Sequence, residues 1–160
     1  MPSFSNSQLV KSFTEESMAC TLPTKPIKMT KDEVRFITRM VFSEFAELCA
    51  TVTNSSEECD DLLQDCLDTI DKPKIKNYDQ EEELIADQYD SFVDAWYYML
   101  NCSCKKGVDL DKIFNVVHQA NMNKRFPDGS FHRREDGKVL KPEDWKEPDV
   151  VQEIKRQMDN

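Results

Sequence analysis

Glu44 and Glu47 lie three residues apart, and Asp87, Asp90 and Asp94 follow one another at steps of three and four. On a helix, such steps put the side chains on one face. Two helices that turn carboxylates toward one another supply the hard oxygen donors that magnesium takes, and magnesium so held binds phosphates. The second cluster lies in a strongly acidic stretch. Asp79, Glu81, Glu82 and Glu83 precede it, and no Lys or Arg occurs between Lys76 and Lys105. Like charges at this density repel unless water or a cation screens them. Glu44, Glu47, Asp87, Asp90 and Asp94 are therefore candidate metal ligands.

A solvated outer face explains the same spacing, because Asp87, Asp90 and Asp94 fall opposite the main apolar stripe of their segment. Against it, surface faces normally mix signs, and this one has no basic residue at i,i+4. Tyr97 and Tyr98 also edge the acid stripe, as on a helix covered on both sides. Glu44 and Glu47 sit on the shoulder of an apolar stripe beside Phe36 and Met40. A half-buried carboxylate there needs either a metal or a salt bridge. These patterns leave both explanations open.

The elements that must position these residues are helical. Thr30, with Glu33 three residues on, forms a capping box and opens a helix to about Thr51, striped by Val34, Ile37, Val41, Phe45 and Leu48. Ser55 or Ser56 caps an acidic helix over 54–71 with Leu62, Leu63, Cys66, Leu67 and Ile70 inward, and Pro73 stops it. A long helix runs from near Gln80 to about Cys104, with Ile85, Tyr89, Phe92, Trp96 and Met99 as its stripe. Gly107 ends it, and Asp109 caps a helix reaching Asn123. A short helix over 7–16 and a proline-bearing linker over 21–30 precede this set. Beyond Phe126, Asp128-Gly129 and Asp136-Gly137 are turn signals. The second closes a short hairpin between 131–134 and 138–140, and 150–158 adds a final helical turn or two. The expected architecture is all-α, with a four-helix-bundle-like core and an irregular C-terminal tail containing that hairpin. It divides into 1–30 (short helix and linker), 31–125 (helical core) and 126–160 (tail).

Composition narrows the function classes. With three glycines in 160 residues, a turn-rich β fold is disfavoured. A net charge of −10 argues against binding a nucleic-acid backbone. No apolar run reaches the roughly 18 residues that span a bilayer, and Met1–Val10 lacks a signal-peptide core. A soluble, cytoplasmic protein with no membrane partner is expected, its six cysteines reduced. Cys102-Ser103-Cys104 finds no partner spacing with His118 or His132, so zinc is not expected.

The motifs together resemble the all-α NTP pyrophosphatase superfamily, the MazG-like proteins. Ser43-Glu44-Phe45-Ala46-Glu47 is similar to its E-E-x-x-E signature. Asp87-x-x-Asp90-x-x-x-Asp94 followed by Ala95-Trp96-Tyr97-Tyr98 is similar to its E-x-x-D motif with apolar and aromatic residues after it. The likeness is strongest to the phosphoribosyl-ATP pyrophosphohydrolase-like branch. Val117-His118-Gln119-Ala120-Asn121-Met122-Asn123-Lys124 resembles V-H-x-x-N-M-x-K, and Asp136-Gly137-Lys138-Val139-Leu140-Lys141-Pro142 resembles D-G-K-v-x-K-p. The resemblance runs from about Arg39 to Asp149. Ser43 departs from it where Glu is usual, and so does the aspartate that opens the second motif.

What the resemblance implies is a nucleoside-triphosphate pyrophosphohydrolase. Glu44, Glu47, Asp90 and Asp94 would hold Mg²⁺, and Asp87 would assist through water or a second ion. Glu44 or Glu47 would serve as catalytic base toward the attacking water. Asn121 and Lys124 would contact the nucleotide, Lys124 at its phosphates. His118 is either a phosphate contact or a packed helix residue. Arg134 and Lys138, with Arg133 and Lys141, either fold over the phosphates or form a plain solvated hairpin. Trp96 and Tyr97 are read as core, Phe36 and Tyr98 as candidates for a base pocket. A homodimer or dimer of dimers is implied. The alternative is a non-catalytic helical nucleotide-binding or protein-interaction module, which the missing glutamate at Ser43 keeps in play.

Overall fold

The computed structural model describes residues 4–159 and has six helices among them, of which three start at the expected capping residues Thr30, Ser55 and Asp109. The first three residues of the 1–30 segment, and of the Met1–Val10 stretch, lie outside the described residues, as does Asn160. Helix α1 spans Asn6–Met18, capped by a Ser5–Gln8 box, and it ends on Ala19 in the left-handed region at φ 49°. Helix α2, Lys31–Ala50, starts from the expected box: Thr30 Oγ1 accepts from the Glu33 N–H, while the Glu33 carboxylate accepts from the Thr30 N–H. Ser55 caps α3, Ser56–Asp68. That helix stops three residues short of the expected end, at Thr69, whose hydroxyl donates back to the carbonyls of Asp65 and Cys66 at 3.0 and 2.9 Å. Helix α4 is the long one, Glu81–Lys105. Gly107, at φ +73°, takes the turn into α5, Leu110–Met122, with Asp109 as cap. Helix α6, Val150–Met158, follows Asp149. No helix among the described residues is long and apolar enough to cross a membrane.

The chain is all-α, and α2–α5 are the four central helices expected. It divides into two compact units, Pro26–Ser91 and the residues on either side of it. In the first unit α2 packs on α3, with the Cys59 thiol against the Ala46 carbonyl at 3.8 Å. The 27–30 segment straps the start of α4. Gln88 brackets both the N–H and the C=O of Met29 (2.8 and 3.1 Å), the Tyr89 hydroxyl donates to the Ile27 carbonyl, and Lys28 pairs with Glu81 at 2.9 Å.

In the second unit α5 packs between α1 and α6. Asn6 donates to Asp111, Arg125 pairs with Glu16, and Phe13 meets Phe131 edge-on at 5.5 Å. The Gln157 amide brackets the backbone of Asp109, and buried Glu153 accepts from Arg156 and Gln157. The short hairpin is present as one antiparallel bridge, Arg133 to Val139, with the Leu140 N–H donating to the His132 carbonyl.

Two aspartates hold the tail's turns. Asp128 accepts from the Ser130 N–H, His132 Nε2 and the Ser130 hydroxyl, which pull its pKa from an ordinary 3.8 to about 2. Arg134 and the Lys138 N–H do the same for Asp136, also to about 2. Both folded pKa values are depressed, so the contribution is complete above the unfolded aspartate range and is lost as pH falls through it toward 2. The Ser130 and Lys138 amide resonances are therefore expected to titrate with midpoints near 2 in an NMR pH series; midpoints at the unperturbed value would mean the turns are not held this way.

Several expectations of burial need correction: Leu48, Leu67 and Ile70, expected to face inward, are 61%, 47% and 58% exposed. Trp96 and Tyr97 are not core within a single chain: they are 39% and 70% exposed, and Val93 on the same helix is 61% exposed. The apolar pattern identifies a face to be covered, but no helix among the described residues packs on α4 as α3 packs on α2.

Candidate active site

Thr30 starts α2 and the α2–α3 contact orients it, which leaves Glu44 and Glu47 exposed, one turn apart, on its outer side. Neither makes a hydrogen bond or ion pair among the described residues. Ser43 beside them has its hydroxyl turned onto its own helix, donating to the Met40 carbonyl at 2.7 Å, so it is not presented as a ligand. On α4, Asp90 and Asp94 are likewise exposed, one turn apart, and make no hydrogen bond or ion pair among the described residues. All four are hard oxygen donors, which suits magnesium; none is ion-paired among the described residues, although the Lys76 charge acts on Asp90 from across one cavity. Among the described residues no three His, Cys, Asp or Glu side chains already surround one point, so each helix offers its carboxylates as a pair.

Asp87, one turn before Asp90, is different. Lys76 Nζ lies 2.6 Å from its Oδ2, and the Tyr78 hydroxyl donates to the same oxygen at 2.9 Å. These two donors, Lys76 foremost, hold the Asp87 carboxyl below the usual carboxylate range, while the carboxylate raises the pKa of both donors. The acidic face therefore does have a counter-charge, contrary to the expectation from sequence. The last lysine before the acidic run folds back eleven residues onto it. The signal was the position of Lys76 at the border of the run; the segment's path back along α4 was not legible.

A second group gathers at the end of α5. Lys124 Nζ donates to Asn121 Oδ1 at 2.7 Å, joining the two residues of the asparagine–lysine motif. Trp145 is fixed by its Nε1–H donating to the Ala120 carbonyl at 2.7 Å. Lys141 Nζ lies 3.9 Å and Lys124 Nζ 5.7 Å from the centre of its ring. Burial lowers the Lys124 pKa, and the charges of Lys141 and Lys138 lower it further. None of these three lysines pairs with a carboxylate among the described residues. An anion among these ammonium groups would relieve their mutual repulsion, although Asp136 already acts on Lys138. Sequence reasoning named Asn121, Lys124, Lys138 and Lys141 but missed Trp145, whose signal was an aromatic residue between lysines in a polar tail.

The remaining candidates are engaged elsewhere. His118 stacks parallel on Phe114, one turn back, at 6.1 Å, which is the packed-helix alternative. The Arg134 guanidinium pairs with Asp136 of its own turn, and Arg133 donates to the carbonyls of Gly137 and Ser17. Phe36 and Tyr98 stand exposed, at 57% and 75%.

Residues 11–121 match the sequence profile of phosphoribosyl-ATP pyrophosphohydrolase. The match begins well before Arg39, taking in most of α1, and it ends at Asn121, short of Lys124 and the tail. The structure is similar to the crystal structure of a protein from Exiguobacterium sp. 255-15 described as a "putative NTP pyrophosphohydrolase". The two are 25% identical over 99% of this chain and 98% of that one, with a TM-score of 0.78, so the likeness extends through the tail. A comparison with curated protein sequences finds no match. With more than two thirds of its length matched, both acid motifs included, the chain belongs to the phosphoribosyl-ATP pyrophosphohydrolase family.

Proposed function

We propose that this protein is a magnesium-dependent nucleotide pyrophosphohydrolase that cleaves between the α- and β-phosphates of a nucleoside triphosphate, releasing the monophosphate and pyrophosphate. One observation carries this: Glu44, Glu47, Asp90 and Asp94, in the family's motifs, make no hydrogen bond or ion pair among the described residues, while their neighbour Asp87 has two donors. Magnesium held by these four would neutralise phosphate charge and lower the pKa of an attacking water. Glu44 or Glu47 would take that water's proton. Lys124 binds the phosphates, held in place by Asn121, and Lys138 and Lys141 add charge beside it. Trp145 keeps two of these ammonium groups over one ring.

The working form is a homodimer or dimer of dimers. Val93, Trp96 and Tyr97 share an apolar face of α4 that lies open in a single chain, with Tyr98 across the acid stripe from it. Large contiguous apolar patches of this kind are interfaces rather than ordinary surface. A second copy supplies the same face, and self-complementary faces close into twofold dimers.

The test is a panel of natural and modified nucleoside triphosphates, dUTP and phosphoribosyl-ATP among them, assayed with Mg²⁺ for pyrophosphate and for orthophosphate. Pyrophosphate from one or a few substrates is the expected result. Orthophosphate instead would put the cleavage at another bond. Silence across the panel from folded protein would favour the non-catalytic module.

A further inference from the structure

We propose that Lys76 is a stand-in cation at the acidic face of α4, and that it transfers its charge to the substrate's phosphates when a divalent ion arrives. The inference rests on the metal-dependent reading above and adds a residue that reading does not use. The segment between α3 and α4 carries lysines at alternate positions, Lys72, Lys74 and Lys76. Lys76 reaches Asp87 Oδ2 at 2.6 Å, and Tyr78 donates to the same oxygen at 2.9 Å. These residues line a solvent-open cavity of about 330 Å³ together with Lys74, Asp90 and Ser91. One cavity thus holds the ion-paired Asp87, Asp90 of the proposed metal site, on which the Lys76 charge acts without an ion pair, and two ammonium groups, of which Lys74 has no carboxylate partner among the described residues.

The chemistry of that cavity changes sign when the ion binds. Without it, the carboxylates of α4 attract the Lys76 ammonium. With two positive charges at Asp90 and Asp94, the same ammonium is repelled and Asp87 alone no longer outweighs the ion. The pair is easily broken, since its side chains are 62% and 37% exposed and exposed ion pairs contribute little. Tyr78 can hold Asp87 in place after Lys76 leaves, because its hydrogen bond carries no charge. The released ammonium, with Lys74 beside it, lies in a cavity next to the metal-bound polyphosphate, where phosphate oxygens are the natural acceptors. This makes Lys74 and Lys76 a phosphate-contacting pair on a segment that neither acid motif includes.

The experiment is a Mn²⁺ titration without nucleotide, by calorimetry, on the wild type, Lys76→Met and Tyr78→Phe, followed by steady-state kinetics on the same proteins. Lys76→Met is expected to bind Mn²⁺ about 3- to 5-fold more tightly, as loss of an exposed competing charge allows, with the gain shrinking at high salt. Its KM for the nucleotide is expected to rise about 5-fold through the lost phosphate contact. Tyr78→Phe should leave Mn²⁺ affinity unchanged. Equal Mn²⁺ affinity in wild type and Lys76→Met would overturn the role of Lys76 and leave the metal site standing. Tightening in Tyr78→Phe as large as in Lys76→Met would do the same, since the effect would then be the freeing of Asp87 rather than the removal of a charge. Tighter Mn²⁺ with an unchanged KM would overturn the transfer to phosphate. If no variant binds Mn²⁺, including the wild type, the metal reading and this one fall together.

Discussion

Asp94→Asn is expected to lower the rate of pyrophosphate release by about 100- to 1,000-fold, the scale of losing one preorganised electrostatic contact to a transition state. The substitution keeps the side chain's size and removes its charge. Asp94 is exposed and makes no hydrogen bond or ion pair among the described residues, so the fold does not depend on it. The melting temperature of Asp94→Asn without ligand should therefore match the wild type, while the rise produced by Mg²⁺ plus nucleotide should be lost. Glu44→Gln and Glu47→Gln then separate two roles. The glutamate that acts as base loses rate while Mn²⁺ binding persists, and one that only binds metal loses both together. A full rate in Asp94→Asn would remove α4 from the chemistry and leave the acid stripe as a solvated face.

The second large effect concerns the open face of α4. Tyr97→Asp and Val93→Asp replace side chains that are mostly exposed in the single chain. If that face remained in water, such changes would shift stability by no more than about 0.5 kcal/mol. If a second copy covers it, each substitution buries a carboxylate and loses a side chain whose burial contributes about 1.5–3 kcal/mol. A twofold interface counts each loss twice. Dissociation should then be favoured by about 1,000-fold or more, on the scale of 1.4 kcal/mol per tenfold. Light scattering behind size exclusion would show it directly, and the melting temperature of the wild type should rise with protein concentration. A monomeric wild type with unperturbed variants would refute the assembly.

Much of this was legible in the sequence because it is local. A cap and the residue it serves lie three positions apart, so Thr30, Ser55 and Asp109 marked helix starts that the structure keeps. The spacing of Glu44 and Glu47, and of Asp90 and Asp94, fixed which residues share a face as soon as the helices were known. Asn121 and Lys124 were joined by the same arithmetic. What escaped was contact across distance in the chain. Periodicity says that a face must be covered but not by what, so the stripe through Trp96 was assigned to the core of one chain. Nothing in the acidic run shows that Lys76 returns to Asp87, and nothing in a polar tail shows that Trp145 reaches back 25 residues to Ala120.

The seat of Trp145 has an optical consequence. The protein has two tryptophans, and among the described residues only this indole lies beneath two ammonium groups. Indole emission responds in intensity and colour to charge held against the ring. A polyphosphate that draws Lys141 and Lys124 toward its oxygens takes charge off the indole, so occupancy becomes visible as a change in intrinsic fluorescence, without a dye or a coupled enzyme. Trp96→Phe would remove the other emitter and leave the tail to signal alone.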